Sequence, residues 1–373
     1  MNAVVTEFNL LGPYGEGLPS LWQGLQSRET AFSEIDRFDT RPFVSRHAAL
    51  VPDLDPASSD SLVFQMIRRL LPDPAPLPTD ATLLLATTVG AIDRLEQNAL
   101  RNGNDPEAGT PERLLAKVHK RLGTTGPARI VSAACASSTV ALAEAASIIR
   151  SGETDAVLVV ACDCVSEFVF SGFSTLMALD PDGARPFDTD RKGLSLGEAA
   201  AWALVMSEAR AQREGRSGMA TLTGYGLSND ANHMTGPARD GAGLARAIRQ
   251  ALRSANQTPD HVAAIHAHGT GTAYNDAMEM KAFHTVFENK PRPVFSIKGA
   301  VGHTLGTAGL LETLVAMQCL KERLAPPTVG LRQPDPLALN WVSSEPQPFS
   351  VGNSVLNVNS GFGGINAALL IEA

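Results

Sequence analysis

Cysteine is scarce in this sequence, and its spacing argues against both a disulfide-rich protein and a protein with a structural metal site. The 373 residues include only four cysteines. Cys162 and Cys164 fall together on a predicted strand and Cys319 falls in a predicted helix, so no disulfide framework is expected. No Cys-x-x-Cys pair occurs, which argues against a structural metal site.

Long apolar runs and a leader segment are also missing. No apolar run approaches the roughly 18 residues that a membrane helix needs, so no membrane span is expected. The N-terminal residues lack the basic segment and following apolar segment of a secretory signal. With the cysteine usage, these absences predict a cytoplasmic protein.

Positive charge is in deficit. The chain has 31 basic and 39 acidic residues, a net charge of −8, which argues against a nucleic-acid binder with a broad phosphate-neutralising surface. There is no low-complexity tract and 44% of the residues are hydrophobic, so the whole chain is expected to fold. At this length we expect two halves of similar size rather than one ordinary core.

The pattern of apolar segments predicts a layered α/β protein. Strand-like runs such as 82–86 and 156–161 alternate with helix-like runs such as 61–71 and 139–150. The strands are continuous Val, Leu and Ala, which predicts burial on both faces of the sheet under helices on both sides.

A faint internal repeat supports two related halves. Residues 132–152 and 302–320 each carry a reactive side chain near the start, followed by a helix rich in small residues and Leu. Residues 197–206 likewise echo 364–372. Convergent alanine-rich composition is the alternative explanation.

Cys135 is the candidate nucleophile. It lies between an apolar segment that ends at Val131 and a small-residue helix that continues to Arg150. A thiol at such a strand-to-helix turn faces unpaired N–H groups and the positive end of the helix, which predicts a lowered pKa. The alternative is a small buried hydrophobic residue, as a lone cysteine often is.

Two histidines are candidates for the same site. His268 and His303 both stand where strand-like runs give way to loops, and both are framed by glycines and small hydroxyl residues. Such loops turn sharply and let a substrate approach closely. A packed core histidine is the alternative for either residue alone.

In this order, the three motifs resemble the elongating beta-ketoacyl-(acyl carrier protein) synthases, the condensing enzymes of fatty acid and polyketide assembly. The resemblance implies the duplicated thiolase-like fold, with αβαβα layers and two related halves. Residues 1–210 would carry the cysteine and residues 211–373 the two histidines. The likeness covers nearly the whole chain, including the segments Arg185 to Asp188, Asp230 to Thr235, Asp240 to Gly243 and Gly361 to Gly364.

The resemblance implies a decarboxylative Claisen condensation without metal or cofactor. Cys135 would take an acyl group from a thioester, and the amides of Cys135 and Phe362 would hold the oxyanion. Malonyl-acyl carrier protein would then lose carbon dioxide, and its enolate would attack the acyl group. His268 and His303 would each donate an N–H to the enolate oxygen.

Further site residues come from the same resemblance. Lys298 would support the histidine pair with Glu312 as its charge partner, because an unpaired buried charge is expensive. Two solvent-facing charges are the alternative. Phe362 would also gate access to Cys135, with a fixed packing role as the competitor.

Substrate contacts are expected on both sides of the thiol. Thr270 and Thr272 are the predicted substrate-binding residues beside His268, and Thr88 and Val89 would approach the acyl tail. Two departures from the family pattern put the pocket and the dimer-facing segments in question: Ser360 replaces a common phenylalanine, and the stretch before Cys135 is short.

The implied partners are an acyl carrier protein, malonyl and acyl thioesters, and a second chain. The dimer would be a homodimer or a heterodimer with a ketosynthase-like chain. An acidic carrier protein would require a local basic patch, for which the candidates are Arg68 with Arg69, and Lys117 with Lys120 and Arg121. A solvated helix face would produce the same clusters.

Three rival functions are open. A chain-length or scaffold partner of a heterodimer would have the fold without condensing activity, although such partners typically replace the nucleophile. A thiolase would need a second cysteine near its C-terminus, whereas Cys319 is the last one here. A binding protein could have retained the fold and lost the activity.

Overall fold

The computed structural model describes residues 1–71 and 77–373. The strands are β1 Ala3–Gly12, β2 Gly15–Glu16, β3 Phe32–Glu34, β4 His47–Ala49, β5 Thr82–Ala86, β6 Ala128–Val131, β7 Ala156–Asp163, β8 Ala199–Ser207, β9 Ala220–Asn229, β10 Val262–His266, β11 Val294–Phe295, β12 Leu324–Ala325, β13 Gln347–Pro348, β14 Ser354–Gly361 and β15 Ile365–Glu372. The helices are α1 Leu18–Ser27, α2 Leu62–Leu70, α3 Ile92–Leu100, α4 Pro111–Leu122, α5 Ser137–Ser151, α6 Glu167–Thr175, α7 Glu208–Arg213, α8 Ala242–Ser254, α9 Ala273–Val286, α10 Lys298–Val301 and α11 Ala308–Glu322.

One large mixed sheet contains the same strand arrangement twice. Its order is β11-β10-β14-β15-β9-β1-β8-β7-β5-β6, with β2 paired to β1. In the first part β6, β5 and β7 are parallel and β8 and β1 follow antiparallel. In the second part β11, β10 and β14 are parallel and β15 and β9 follow antiparallel. The duplication expected from the faint sequence repeat is therefore present in the fold.

The two parts of the sheet join through a short contact. Only Val4 with Thr221 and Val5 with Ala220 pair between β1 and β9. The division at residue 210 would fall within α7, between the last strand of the first part and the first strand of the second. We keep that boundary as a proposal.

The strands are buried on both faces, as their continuous apolar sequences predict. Along β7, Val157, Val159 and Ala161 belong to the core that contains α5 and α11. Leu158 and Val160 point the other way, into the core under α2 and α4. Successive strand residues face opposite sides of a sheet, so a strand covered on both sides needs apolar residues at every position.

Helices complete five layers. α5 and α11 pack against each other and against strands of both parts. α2 and α4 cover the outer face of the first part, and α8 and α9 cover the outer face of the second. Small residues bring the central helices close: a side chain on Gly309 would meet the Thr139 hydroxyl at 1.9 Å. Within the described ranges, no helix has the length and apolar character to cross a bilayer.

The layout brings the candidate residues to one crevice. Cys135 follows β6, His268 follows β10, and Lys298 and His303 follow β11. Phe362 lies in the turn between β14 and β15. β6 and β11 stand at opposite ends of the strand order, but both parts of the sheet pack against the central helices α5 and α11, which brings these loops together.

Candidate active site

A strained turn presents Cys135. The thiol lies between β6 and α5 and is 6% exposed. Ala134, just before it, has a φ of 49°, a left-handed conformation that costs a non-glycine residue roughly 1 to 2 kcal/mol. The Ser137 hydroxyl holds the turn by accepting from Ala133 N at 2.9 Å and donating to Ala134 O at 2.6 Å.

The structure brings the cysteine and the two predicted histidines together. The Cys135 Sγ atom and one ring nitrogen from each of His268 and His303 all lie within 4.8 Å of one another. The two imidazole rings are 5.1 Å apart between centroids and nearly perpendicular. This clustering favours a shared site over the alternative of a packed core histidine.

Backbone geometry fixes the proton of His303. The Leu305 N–H donates to Nδ1 at 3.2 Å, so the ring proton sits on Nε2. Nε2 is buried and has no hydrogen-bond partner among the described residues. His303 therefore presents an unused N–H donor beside the thiol.

Asn359 orients His268 in the same way. Its amide nitrogen lies 3.3 Å from His268 Nδ1 and donates to Glu312 at 2.8 Å. The Thr139 hydroxyl donates to the Asn359 carbonyl oxygen, which fixes the amide orientation. Nδ1 of His268 is then the acceptor, and the ring proton again sits on Nε2.

Both imidazoles are neutral. Burial holds the pKa of His268 and of His303 well below the usual value, and the nearby Lys298 charge lowers it further. Zinc or iron would need the Nε2 lone pairs, but both Nε2 atoms carry protons because both Nδ1 atoms accept hydrogen bonds. This arrangement favours hydrogen-bond donation over metal binding.

Lys298 and Glu312 form a buried ion pair. Each side chain is 1% exposed, and the ammonium bonds directly to the Glu312 carboxylate. Lys298 also donates to the His268 carbonyl oxygen at 2.6 Å. The alternative of two solvent-facing charges is wrong.

The thiol does not have the lowered pKa that its position in the sequence predicted. Burial raises the pKa of Cys135 to about 11. The charge of Lys298 and the backbone N–H groups of Phe362 and Cys135 lower it, but burial outweighs them. The prediction considered the helix end and missed the depth of the site. The same two N–H groups are the predicted oxyanion donors.

Two cavities meet at Cys135. The larger, of about 860 Å³, is lined by polar loops that include Thr270 and Thr272. The smaller, of about 400 Å³, is mostly apolar and is lined by Thr88 and Val89. The four predicted substrate contacts thus divide between two compartments on either side of the thiol.

Phe362 lies between these compartments. It lines both cavities, and its ring packs 5.7 Å from the Phe173 ring between centroids. Gly361 before it fits tightly against the nucleophile turn, because a side chain there would come within 3.0 Å of Ala133 O. The position is compatible with both the gating and the packing role.

Comparisons with known proteins fit this geometry. Residues 87–211 match the family described as beta-ketoacyl synthase, N-terminal domain, and residues 219–332 match beta-ketoacyl synthase, C-terminal domain. The chain belongs to the beta-ketoacyl synthase family. The ketoacyl synthase alpha subunit of the tetracenomycin polyketide synthase from Streptomyces glaucescens is 31% identical over 99% of this chain and 96% of that protein.

Solved beta-ketoacyl synthases share the whole architecture. The ishigamide ketosynthase/chain length factor superposes with a TM-score of 0.89 at 31% identity, covering 100% of this chain and 99% of that one. The complex AntDE:AntF, a type II polyketide synthase carrier protein with its ketosynthase, gives 0.87 at 25% identity, covering 100% and 99%. The predicted family and thiolase-like fold are confirmed.

Ser360, where the family pattern has a phenylalanine, forms local hydrogen bonds in this chain. Its hydroxyl donates to Asn366 at 2.9 Å, and the Asn366 amide donates to Asp230 at 2.7 Å. Ser360 and Asp230 both line the larger cavity. Hydrogen bonds therefore link β14 to the loop at residue 230, where the family commonly places an aromatic ring.

Cys319 offers no support for a thiolase. It is fully buried inside α11 and lines neither cavity. Its pKa is raised well above the usual value by burial. A second reactive thiol at the site is therefore missing from the described residues.

Sequence reasoning missed several polar residues that support the site. Asp163 is fully buried and accepts hydrogen bonds from the Thr87 hydroxyl at 2.8 Å, from Thr88 N at 3.0 Å and from Gly306 N at 2.7 Å. It ties the wall of the smaller cavity to the loop after His303, and burial raises its pKa to about 6. The sequence offered one signal for Asp163, because an acidic residue at the end of a continuous apolar strand is unusual.

Glu279 is the second missed acid. Its carboxylate accepts from His268 N and Gly269 N, both at 2.7 Å, and so holds the loop that positions the imidazole. Burial raises the pKa of Glu279 to about 8. Asn359 was missed as well, because the side chains that it contacts are far away in sequence.

Proposed function

We propose that this chain catalyses a decarboxylative Claisen condensation between an acyl group on Cys135 and malonyl-acyl carrier protein. The product is a beta-ketoacyl-acyl carrier protein of polyketide, polyene or fatty acid assembly. The observation that carries the proposal is the pair of neutral imidazoles, His268 and His303, with their Nε2 protons beside a buried thiol. The thiol stands where two cavities meet.

The first step is acyl transfer. The Cys135 sulfur bonds to the carbonyl carbon of the acyl thioester, and the carrier thiol leaves with the proton that Cys135 gives up. The backbone N–H groups of Cys135 and Phe362 hold the tetrahedral oxyanion. A donor of this kind is worth about 3 to 4 kcal/mol of transition-state stabilisation. The raised pKa of Cys135 implies that the proton moves during the attack, because little thiolate is present beforehand.

The second step is decarboxylation. The bond between the malonyl methylene carbon and its carboxylate breaks, carbon dioxide leaves, and the electron pair moves to the thioester oxygen. The Nε2 protons of His268 and His303 stabilise this enolate. Burial keeps both rings neutral by lowering their pKa, and the charge of Lys298 lowers it further. Lys298 also adds a positive charge at the site, which Glu312 compensates in the resting enzyme.

The third step forms the new carbon–carbon bond. The enolate carbon attacks the acyl carbonyl on Cys135, and the sulfur leaves as the product forms on the carrier. We propose that the acyl chain occupies the smaller, apolar cavity, which includes Thr88 and Val89. The extender would enter through the larger cavity beside Thr270 and Thr272, because its lining is more polar than that of the smaller cavity and offers partners to a pantetheine amide arm.

We propose a carrier protein and a second chain as partners. AntDE:AntF is described as a carrier protein with its ketosynthase, which supports carrier-bound substrates here. The ishigamide structure is named for a ketosynthase and a chain length factor, which supports a ketosynthase-like partner. Phe168, Leu176 and Met177 are exposed at the smaller cavity or next to it, and a second chain would cover this apolar surface.

Intact-mass analysis with acyl-carrier and malonyl-carrier substrates tests the function. Wild type should form an acyl adduct and release a beta-ketoacyl product, and Cys135→Ala should do neither. His303→Ala should still form the adduct but should lose product, because the enolate is then poorly stabilised. Neither adduct nor product across a range of acyl chains would refute the proposal and favour the inactive heterodimer partner.

A further inference from the structure

We infer that the acidic carrier protein docks on a basic face formed by α8 and its neighbours. This α8 basic face consists of Arg239, Arg246, Arg249, Arg253 and Lys281. The inference rests on the proposed function, which supplies the carrier protein as the partner. From this face the pantetheine arm of the carrier protein would enter the larger cavity.

Helix periodicity places the three α8 arginines on one exposed side. Arg246, Arg249 and Arg253 follow the spacing i, i+3 and i+7, which puts side chains on the same side of a helix. All three are exposed. The opposite side of α8, including Leu244 and Ile248, is buried in the core of the second half of the sheet. The arginines therefore point to solvent.

The face lacks the ion pairs that neutralise most other cations of this acidic chain. Among the described residues, Arg246 donates only to Asn229 O and Arg249 only to Thr285 O. No described carboxylate lies in salt-bridge range of either side chain, or of Arg253. One acid borders the face: Asp240 accepts from the Ala242 N–H at 3.0 Å, at the start of α8.

Most described cations elsewhere on the surface have a carboxylate partner. Arg113 contacts Asp105 and Glu107, and Arg129 contacts Glu144 and Glu153. In a chain with a net charge of −8, a row of three arginines without an ion pair and with one bordering acid is a local exception. Uncompensated exposed charge of one sign attracts a partner of the opposite sign and raises its association rate.

The face runs to the mouth of the larger cavity. Arg239 lines that cavity and stacks on Tyr274, with its guanidinium carbon 4.3 Å from the ring centroid. Lys281 donates to Arg239 O at 2.9 Å and so joins α9 to the mouth. From Arg246 to Arg253 the row extends about 10 Å along the helix.

Two shallow clefts lie along the same surface. One, of about 360 Å³, is lined by the three α8 arginines, Thr285 and the bordering acid Asp240, which also lines the second cleft. The other, of about 600 Å³, is lined by Lys281 and also reaches Thr285. A small acidic protein seated there would place its arm at Arg239 and Tyr274, directly above the route to Cys135.

The basic clusters that stood out in the sequence are partly engaged within the fold. Arg68 and Lys117 both pair with Asp60, and Lys117 also stacks on the Phe64 ring. These clusters lie on α2 and α4 and do not line the larger cavity. Clustering of basic residues in the sequence therefore indicates a docking surface less well than the positions of the acids around them in the fold.

An acidic protein fits this face better than a nucleic acid does. The row is short, and the net charge of −8 opposes a long polyanion beyond the few cations that touch it. A partner helix with acids at the matching i, i+3 and i+7 positions would complement the three arginines.

Charge reversal tests the docking surface. The variant R246E/R249E/R253E is compared with wild type on carrier-bound acyl and malonyl substrates, and on the same acyl group attached to a short pantetheine thioester. For carrier substrates we expect kcat/KM to fall about 100-fold, mainly through KM. Reaction with the short thioester should stay within about twofold of wild type, because no docking is involved.

A matched control carries the same change in charge elsewhere. R68E/R69E/K120E should retain the wild-type KM for carrier substrates. Added salt should weaken carrier use by wild type much more than by the α8 variant, since the screened attraction is already lost there. An unchanged KM in the α8 variant together with a raised KM in the control would overturn the inference.

Direct binding separates failure of the docking site from failure of the proposed function. Fluorescence anisotropy with labelled holo-carrier protein reports docking even if wild type condenses nothing. Equal affinity of wild type and R246E/R249E/R253E would overturn the inference, as would tighter binding of single-stranded DNA than of the carrier. If the triple variant fails to fold, R249Q gives the same comparison with a smaller change, and an affinity equal to wild type would again overturn it.

Discussion

The buried pair of Lys298 and Glu312 allows stability and chemistry to be separated. Glu312→Gln leaves an ammonium that is 1% exposed without its counter-charge. Removing one partner of such a pair costs about 3 to 5 kcal/mol, because the remaining charge is desolvated without compensation. At roughly 2.1 cal/mol/K per residue, unfolding 373 residues changes entropy by about 0.8 kcal/mol/K, so a loss of about 4 kcal/mol lowers Tm by about 5 °C.

The double variant Lys298→Met/Glu312→Leu removes both charges. It should recover most of the lost stability, since a buried ion pair replaced by apolar residues of similar size is often neutral or better. Its decarboxylation of malonyl-carrier protein should stay low, because no positive charge remains beside the histidines. Thermal unfolding and carbon dioxide release measure the two effects separately.

Two outcomes would refute this reasoning, one in the decarboxylation rate and one in the Tm. A double variant with wild-type decarboxylation would mean that Lys298 serves packing alone. A Glu312→Gln variant with wild-type Tm would mean that the pair does not carry buried charge. Lys321→Met, at an exposed position on the same helix, is the control and should change neither quantity.

Two further predictions concern Cys135 and Asn359. Burial raises the pKa of Cys135 to about 11, so its thiolate fraction should increase about tenfold per pH unit from 7 to 9. The rate of alkylation by iodoacetamide, followed by peptide mass spectrometry, should increase by the same factor. A rate that is constant above pH 7 would contradict this, because the thiolate would already be formed. Asn359→Leu removes the hydrogen bond to His268 Nδ1, worth about 1.4 kcal/mol, so decarboxylation should fall about tenfold with little change in Cys135 acylation. Equal losses in both half-reactions would contradict the positioning role.

Local patterns predicted the elements well. The strand expected at 82–86 is observed as Thr82–Ala86, and the helix expected at 139–150 as Ser137–Ser151. Continuous apolar runs of limited length have few alternatives in a layered fold. The grouping of Cys135 with the two histidines came from the family resemblance, since spacing alone left a core role open for each.

Properties set by distant contacts could not be predicted. The sign of the Cys135 pKa shift depends on the depth of burial, which emerges only after both halves pack. Asn359 is linked to Thr139 across 220 residues, and Asp163 to Gly306 across 143. No local pattern encodes such partners. The same holds for the α8 arginines, whose importance lies in the acids that are missing around them.

The separation of Thr139 from Asn359 also sets the order in which the ribosome makes the site. At about 5 to 20 residues per second, the strand that bears Asn359 is translated roughly 10 to 45 s after the helix that bears Thr139. Throughout that interval the nascent chain contains Cys135 but not yet the amide of Phe362, and His268 and His303 are added only in its later part. A chain that ends before β14 would lack both Asn359 and the predicted oxyanion donor of Phe362, so the last two strands complete the site.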